Sequence, residues 1–211
     1  GDETELDGRV CDCCQTSSAL TDLGPVTVYR DRSPDEIRDI YITRQVDGQW
    51  SPGAPVHDDG WEIAGCPVNG PAVAASGTDV AVAWFTGAGN VPKVKVAFSR
   101  DGGATFGDPM VVDDGNPAGR VDLLYTDDGA VLVSWLERTG GDAAEVRLRR
   151  VAGDGVASNS ASLVGSSGAR ASGFPRVVEA PDGGLILAWT DLEGEVPQVR
   201  VARLVLDGES Q

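Results

Sequence analysis

The chain has 211 residues, and its 17 basic and 33 acidic side chains give a formal net charge of −16 at pH 7. A surface this acidic repels phosphate backbones and anionic lipid headgroups, which excludes nucleic acid as an expected partner. No apolar run approaches the roughly 18 residues of a transmembrane helix, so no membrane span is expected, while 28 glycines and 12 prolines indicate many short strands joined by turns.

One strand pattern recurs four times along the chain. Its central strand is an apolar run that ends in an aromatic residue, and these residues recur every 51 to 55 positions as Tyr29, Trp84, Trp135 and Trp189. Each central strand follows a turn and precedes an alternating strand, predicted at 40–44, 94–98, 145–149 and 199–203. Four short strands per repeat are typical of a β-propeller blade.

A sheet of this size cannot shield both of its faces from water, so successive blades are expected to pack face to face around an axis. The predicted fold is an all-β propeller of four-stranded antiparallel blades, forming a single domain over 1–211. Four blades are recognisable, at about 14–57, 67–113, 119–164 and 173–206. The strand aromatics are expected to pack between blades, and a ligand platform is their alternative role.

The stretch from Ser99 to Phe106 predicts a β-hairpin turn in the second repeat. It fits the pattern Ser-x-Asp-x-Gly-x-Thr-aromatic, in which Asp101 accepts backbone N–H bonds and Gly103 tolerates positive φ. Thr105 completes the polar part of the pattern, and Phe106 is expected to fold beneath the turn. The stretch resembles the Asp-box, or bacterial neuraminidase repeat, of sialidase-like β-propellers, in which the box has a structural role away from the active site.

The resemblance extends over about 13–206 at the level of repeat architecture. The Cys-x-Cys-Cys cluster, the Tyr-Arg-Asp-Arg stretch at 29–32 and the Gly-Cys-Pro-Val-Asn-Gly-Pro stretch at 65–71 are similar to those of bacterial exported proteins of sialidase-like type. This resemblance implies an extracytoplasmic location, periplasmic or secreted. Sialidase-like propellers usually have six blades, so further blades precede Gly1, lie on another polypeptide, or are absent because four close the ring. The sequence leaves these three options open.

The cysteines precede the first two repeats, with Cys11, Cys13 and Cys14 before one and Cys66 before the other. Equivalent positions of neighbouring blades lie side by side near a propeller axis, so Cys66 is expected to meet the other three. Two disulfides are one interpretation, with Cys66 paired into the cluster because a bridge between adjacent cysteines would be strained. A thiolate-bound metal ion, held by four sulfurs or by three with His57, is the second, and free thiols are the third.

The resemblance also implies a ligand site at the propeller axis, where sialidases use three arginines to grip a substrate carboxylate. Arginine suits this task because its guanidinium binds a carboxylate through two parallel hydrogen bonds. The corresponding positions hold Arg30, Asp31, Asn69, Arg120, Asp122 and Arg176. The Arg-Ile-Pro signature of sialidases is absent and no Tyr/Glu nucleophile couple can be identified, so no catalytic residue is assigned. Ion pairing within loops is the alternative role of Arg30.

These observations support three hypotheses of function. The first is a propeller that binds a glycan, or a partner protein in a larger assembly, without sialidase chemistry. The second is an exo-sialidase that uses Arg30, Arg120 and Arg176 as a carboxylate clamp. The third is a protein organised around a cysteine-bound metal centre. The sequence leaves open whether the chain is an enzyme.

Overall fold

The computed structural model describes residues 3–194 and 196–204. This part of the chain forms sixteen strands in four antiparallel sheets, with two short 3-10 turns at Ala88–Asn90 and Arg170–Ser172. The prediction of an all-β chain of repeated antiparallel sheets is confirmed. None of the helical segments in the described residues is long and apolar enough to cross a bilayer.

The first two sheets occupy the N-terminal half of the chain. Sheet 1 has five strands, β1 Ser17–Thr21, β2 Gly24–Arg30, β3 Ile40–Val46, β4 Gln49–Trp50 and β5 Ala54–His57. Strands β1, β2 and β3 are neighbours in that order, and both β4 and β5 pair with β3. Sheet 2 is a four-stranded meander of β6 Ala72–Ser76, β7 Asp79–Thr86, β8 Lys93–Ser99 and β9 Met110–Val111.

The C-terminal half forms the other two sheets. Sheet 3 is a meander of β10 Pro117–Tyr125, β11 Val131–Gly140, β12 Ala143–Val151 and β13 Ala161–Ser167. Sheet 4 has three described strands, β14 Arg176–Glu179, β15 Leu185–Asp191 and β16 Gln198–Leu204. The predicted end of the last blade, at 206, lies outside the described residues.

The sheets are held in series by three apolar clusters. The cluster between sheets 1 and 2 includes Val28, Ile42 and Trp84. The cluster between sheets 2 and 3 includes Val94 and Trp135. A third cluster joins sheets 3 and 4, and the inner strands β1, β6, β10 and β14 contact one another in that order. Because each sheet is shielded by its neighbour, the arrangement is the radial one expected from the repeat.

Three of the four strand aromatics pack between sheets as predicted, and Tyr29 does not. Trp84 and Trp135 are fully buried, and Trp189 is half-buried against the third cluster. The Tyr29 hydroxyl instead donates to Asp7 Oδ2 at 2.8 Å, and its ring centroid lies 6.3 Å from that of Tyr41. Tyr29 therefore packs beneath the segment that precedes β1, because that segment covers this face of sheet 1.

The predicted hairpin turn follows β8 and is closed by side-chain hydrogen bonds. Ser99 Oγ donates to Asp101 Oδ1 at 2.7 Å, and Thr105 donates to the same carboxylate from its backbone N at 2.9 Å and from Oγ1 at 2.7 Å. Partial burial acts to raise the pKa of Asp101, but the hydrogen bonds from Ser99 and Thr105 outweigh it and lower the pKa to about 2.

The same turn packs against sheet 1. Gly103 has φ of +82°, and a Cβ at this position would lie 2.7 Å from Ile42 Cδ1. A Cβ on Gly102 would lie 2.9 Å from Leu23 Cδ1, and Phe106 is half-buried against the cluster between sheets 1 and 2. Glycine is required here both by the backbone conformation and by the close approach of the neighbouring sheet.

Candidate functional site

The candidate site lies at the hub end, defined here as the end at which the inner strands β1, β6, β10 and β14 begin. The segment before β1 is held along β2, since Cys11 N donates to Arg30 O at 2.9 Å. The loop before β6 is held beside it, since Gly70 N donates to Gln15 Oε1 at 2.8 Å and Gln15 Nε2 donates to Gly70 O at 3.1 Å. These contacts bring the two cysteine-bearing segments together.

The four cysteines, called here the thiol cluster, meet as predicted. Cys13 and Cys66 form a disulfide with a Cα–Cα distance of 6.2 Å. Cys11 and Cys14 are free thiols, and Cys11 Sγ lies 3.2 Å from Cys14 Sγ and 3.6 Å from Cys13 Sγ. The expected pairing of Cys66 into the cluster is confirmed, whereas only one of the two expected disulfides is present. Burial raises the pKa of the half-buried Cys14 thiol to about 11.

His57 does not take part in the thiol cluster. It lies in β5 opposite Ile40, with its ring centroid 6.4 Å from that of Trp84 and its Nε2 3.8 Å from Asp59 Oδ1. The group of side chains placed to hold a metal ion consists of Cys11, Cys13 and Cys14. The interpretation of three sulfurs with His57 therefore has no support, because β5 directs the imidazole toward the packing between sheets 1 and 2.

A buried guanidinium lies beside the thiols. Arg30 is 2% exposed, and its hydrogen bonds all go to backbone carbonyls, those of Asn69 at 2.8 and 2.9 Å, Arg38 at 2.5 Å and Phe85 at 2.6 Å. Its guanidinium carbon lies 4.8 Å from the ring centroid of Trp61. Within the described residues no carboxylate contacts Arg30, and its charge is stabilised by carbonyl dipoles, by the indole face and by the neighbouring Cys14 and Cys11 side chains.

Two further arginines donate to sulfur. Arg38 is 4% exposed, and it donates through Nη1 to Cys11 Sγ at 3.3 Å and through Nη2 to Glu36 Oε2 at 2.7 Å. Arg170, in the turn before β14, donates through Nη2 to Cys66 Sγ at 3.5 Å. Arg38 was not predicted as a site residue, because no motif marks it and only the fold brings it to the cysteines.

Three of the predicted site residues form one hydrogen-bonded row. Arg30 donates to Asn69 O, Asn69 Oδ1 accepts from Arg120 N at 2.8 Å, and Asn69 Nδ2 donates to Ala118 O at 3.2 Å. Arg120 and Val68 have φ of 59° and 51°, which are unusual values for residues with side chains. Strained backbone on both sides of Asn69 marks this row as a functional candidate.

The side chain of Arg120 points away from carboxylates. Its Nη1 donates to Val68 O, and its guanidinium carbon lies 4.8 Å from the ring centroid of Phe174. Burial lowers the pKa of Arg120, and repulsion from Arg170 and Arg138 lowers it further. Arg120 therefore lies among other arginines in a protein whose net charge is −16.

The other predicted site residues lie in separate contacts. Arg176 Nη1 pairs with Asp122 Oδ1 at 2.8 Å, and Val177 N donates to Asp122 Oδ2 at 2.8 Å, which ties sheet 4 to sheet 3. Asp31 N donates to Asp39 O at 3.0 Å, and burial raises the pKa of the Asp31 carboxyl. Convergence of all six residues on one ligand stays a prediction.

A cleft of about 410 Å³ reaches the thiol cluster from the side of the N-terminal segment. Its lining includes Val10, Tyr29 and Arg30, together with Cys11 and Cys14. Small solutes therefore have a path to both free thiols.

Comparisons with known proteins identify the fold. No family model matches the chain, and no curated protein matches its sequence. Among solved structures it is similar to the GH43 BlXynB protein of Bacillus licheniformis, with a TM-score of 0.60 at 12% identity, covering 92% of this chain and 41% of that one. It is also similar to an endo-arabinase of Bacteroides thetaiotaomicron, with a TM-score of 0.52 at 13% identity over 92% and 75% of the two chains.

An α-L-arabinofuranosidase of Clostridium thermocellum gives a TM-score of 0.53 at 11% identity over 89% of this chain and 67% of that one. The GH43 enzymes are five-bladed propellers, and this chain spans less than half of BlXynB. At these identities the likeness concerns the fold alone. The four sheets thus have an arrangement similar to that of these β-propeller proteins.

Proposed function

We propose that the chain is a glycan-binding propeller module of sialidase-like type whose hub end binds an acidic sugar through Arg120 and Arg170. The observation that carries the proposal is that both guanidinium groups contact the loop before β6, since Arg120 Nη1 donates to Val68 O and Arg170 Nη2 donates to Cys66 O at 3.5 Å. Their mutual repulsion contributes to the lowered pKa of Arg120, and neither has a carboxylate partner within the described residues. A bound carboxylate relieves that repulsion and accepts paired hydrogen bonds from guanidinium groups.

Several other arginines of the chain differ from Arg120 and Arg170 because they form ion pairs with carboxylates. Arg100, Arg149 and Arg176 each contact a carboxylate at 2.7 or 2.8 Å, as expected in a chain with 33 acidic residues. Cations that lack such partners in an acidic protein form the part of the surface with affinity for an anion. The half-buried Phe174 beside Arg120 adds an apolar face of the kind that packs against a sugar ring.

The similar solved structures favour a sugar as the carrier of the acidic group. Two of them are described as an endo-arabinase and an α-L-arabinofuranosidase, and both have the propeller fold of this chain. Propellers of this kind bind ligands at the axis, which corresponds to the hub end here. A partner protein with an exposed acidic group is the alternative ligand, and the location we propose is extracytoplasmic because disulfides persist in oxidising compartments.

We favour binding over hydrolysis because two carboxylates near the row, those of Asp39 and Asp122, are already engaged in structural contacts. Asp122 accepts hydrogen bonds from Arg176 and from Val177 N. Asp39 accepts from Gly60 N at 2.8 Å and from Trp61 N at 3.0 Å. A retaining glycosidase of the two-carboxylate type needs a free carboxylate nucleophile about 5 Å from an acid/base residue, and these two carboxylates are held in structural contacts instead.

The proposal is tested by calorimetric titration with N-acetylneuraminic acid and glucuronic acid, and with their neutral methyl esters. We expect the acids to bind at least about tenfold more tightly than the esters, and Arg170→Ala to remove that preference. Arg100→Ala is the matched control, because it removes an exposed arginine that pairs with Asp79. Equal binding of acids and esters, or an unchanged preference in Arg170→Ala, would refute the proposal.

The same protein should be assayed with a fluorogenic sialoside. No turnover above that of the Arg170→Ala variant is expected for a binding module. Turnover that this variant loses would replace binding by sialidase chemistry as the function of the hub end.

A further inference from the structure

The thiol cluster joins four sulfurs from two segments that are distant in sequence. Cys13 and Cys66 are 53 residues apart, yet both lie beside the free thiols of Cys11 and Cys14. Disulfide stability explains two of these cysteines and leaves the other two, held at a Sγ–Sγ distance of 3.2 Å, without a role. A further function of the cluster has to account for all four.

The distances suit coordination of a single ion. The sulfur atoms of Cys11, Cys13 and Cys14 all lie within 4.8 Å of one another, with Cys11 at 3.2 and 3.6 Å from the other two. Tetrahedral coordination with metal–sulfur bonds of about 2.3 Å places sulfurs about 3.8 Å apart, so small side-chain movements suffice. We propose that the four cysteines form a redox-gated site for a thiophilic metal ion, Cu(I) or Zn(II), which the Cys13–Cys66 disulfide closes and its reduction opens.

The surrounding charges complement a thiolate centre. Zn(II) with four thiolates, or Cu(I) with three, carries two net negative charges. Arg30 is a buried cation without a carboxylate partner among the described residues, and Arg38 and Arg170 donate directly to Cys11 and Cys66. A shell of hydrogen-bond donors around the sulfurs is the arrangement that orients metal ligands and offsets their charge.

The gating step needs one external reductant. A dithiol reductant transfers two electrons and two protons to the Cys13–Cys66 disulfide, which becomes two thiols, and the reductant is itself oxidised to a disulfide. The entering ion then displaces the proton of each thiol that coordinates it. The cleft of about 410 Å³ that is lined by Cys11 and Cys14 provides the route of entry.

The test compares metal binding by the reduced and the disulfide-bonded protein under anaerobic conditions. The probes are Cu(I) in competition with a copper-specific chelator and Zn(II) in competition with a colorimetric chelator, and thiols are counted before each titration. We expect one ion per reduced chain with a thiolate-to-metal absorption band, and binding at least about 100-fold weaker when the disulfide is intact. The ion that better resists its chelator is the one the site prefers.

Variants locate the site. Cys14→Ser and Cys66→Ser are each expected to weaken binding by the reduced protein at least about tenfold, with circular dichroism used to check that both remain folded. His57→Ala is the control, because it removes the single histidine of the chain, which lies in β5 away from the cluster. A reduced protein with four counted thiols that retains neither ion overturns the proposal, as does equal affinity in the oxidised protein or in both cysteine variants.

Discussion

Replacing Asp101 by Asn should measure how much the hairpin turn of sheet 2 stabilises the fold. The carboxylate accepts three hydrogen bonds, from Ser99 and twice from Thr105, and its pKa falls from 3.8 to about 2. A shift of this size corresponds to about 2 kcal/mol, which partial exposure of the turn reduces to about 1–2 kcal/mol. For a chain of this length we expect the unfolding midpoint to fall by about 5 °C.

The pH dependence separates this mechanism from a general loss of packing. Because the pKa of Asp101 is lower in the folded state, its stabilisation is fully present above about pH 5 and is lost as the pH falls toward 2. Urea unfolding of wild type and Asp101→Asn should therefore differ at pH 7 and converge as the pH approaches 2. Asp127→Asn, in an exposed turn, is the control and should change stability by less than about 0.5 kcal/mol. A difference that persists undiminished at low pH would refute the reasoning.

Three further outcomes are expected. Asp59→Asn should destabilise the protein by about 2–4 kcal/mol in urea unfolding, because its buried carboxylate accepts from Trp84 Nε1 at 2.6 Å and from Lys95 Nζ at 2.5 Å. The control Asp58→Asn, at an exposed position, should have little effect. Gly119→Ala places a Cβ 2.3 Å from Asn69 Oδ1 and should lower the melting temperature more than Gly129→Ala, because Gly129 has a similar φ but open space around it. Equal effects of the two substitutions would contradict the close packing around Asn69. The Cys14 thiol, with its pKa raised from 9.0 to about 11, should react with iodoacetamide about 100-fold more slowly than an exposed thiol at pH 8, as measured by timed mass spectrometry, and faster as the pH rises.

Much of the strand order was predictable from sequence, because alternation and turn residues act over short distances. The run predicted to end at Trp84 lies inside β7 Asp79–Thr86, and the run predicted to end at Trp135 lies inside β11 Val131–Gly140. The meeting of Cys66 with the other cysteines was also predictable, since equivalent positions of repeats become neighbours around an axis.

The site itself was less accessible to sequence reasoning. Arg30 was predicted to face a ligand, whereas its hydrogen-bond acceptors are the backbone carbonyls of Arg38, Asn69 and Phe85, which no local pattern connects. Arg170 reaches Cys66 across 104 positions of sequence. Such contacts depend on the relative placement of loops from different sheets, which periodicity does not encode.

The close packing of Gly103 against Ile42 has a consequence for the order of assembly. The hairpin turn is closed by eight contiguous residues, from Ser99 to Phe106, so it forms quickly and without help from distant parts of the chain. Sheet 1 packs against Gly102 and Gly103, and these glycines are in position only when the turn is closed. The hairpin turn is therefore expected to form before sheet 1 packs against it. A substitution that slows closure of the turn should delay the packing of sheet 1.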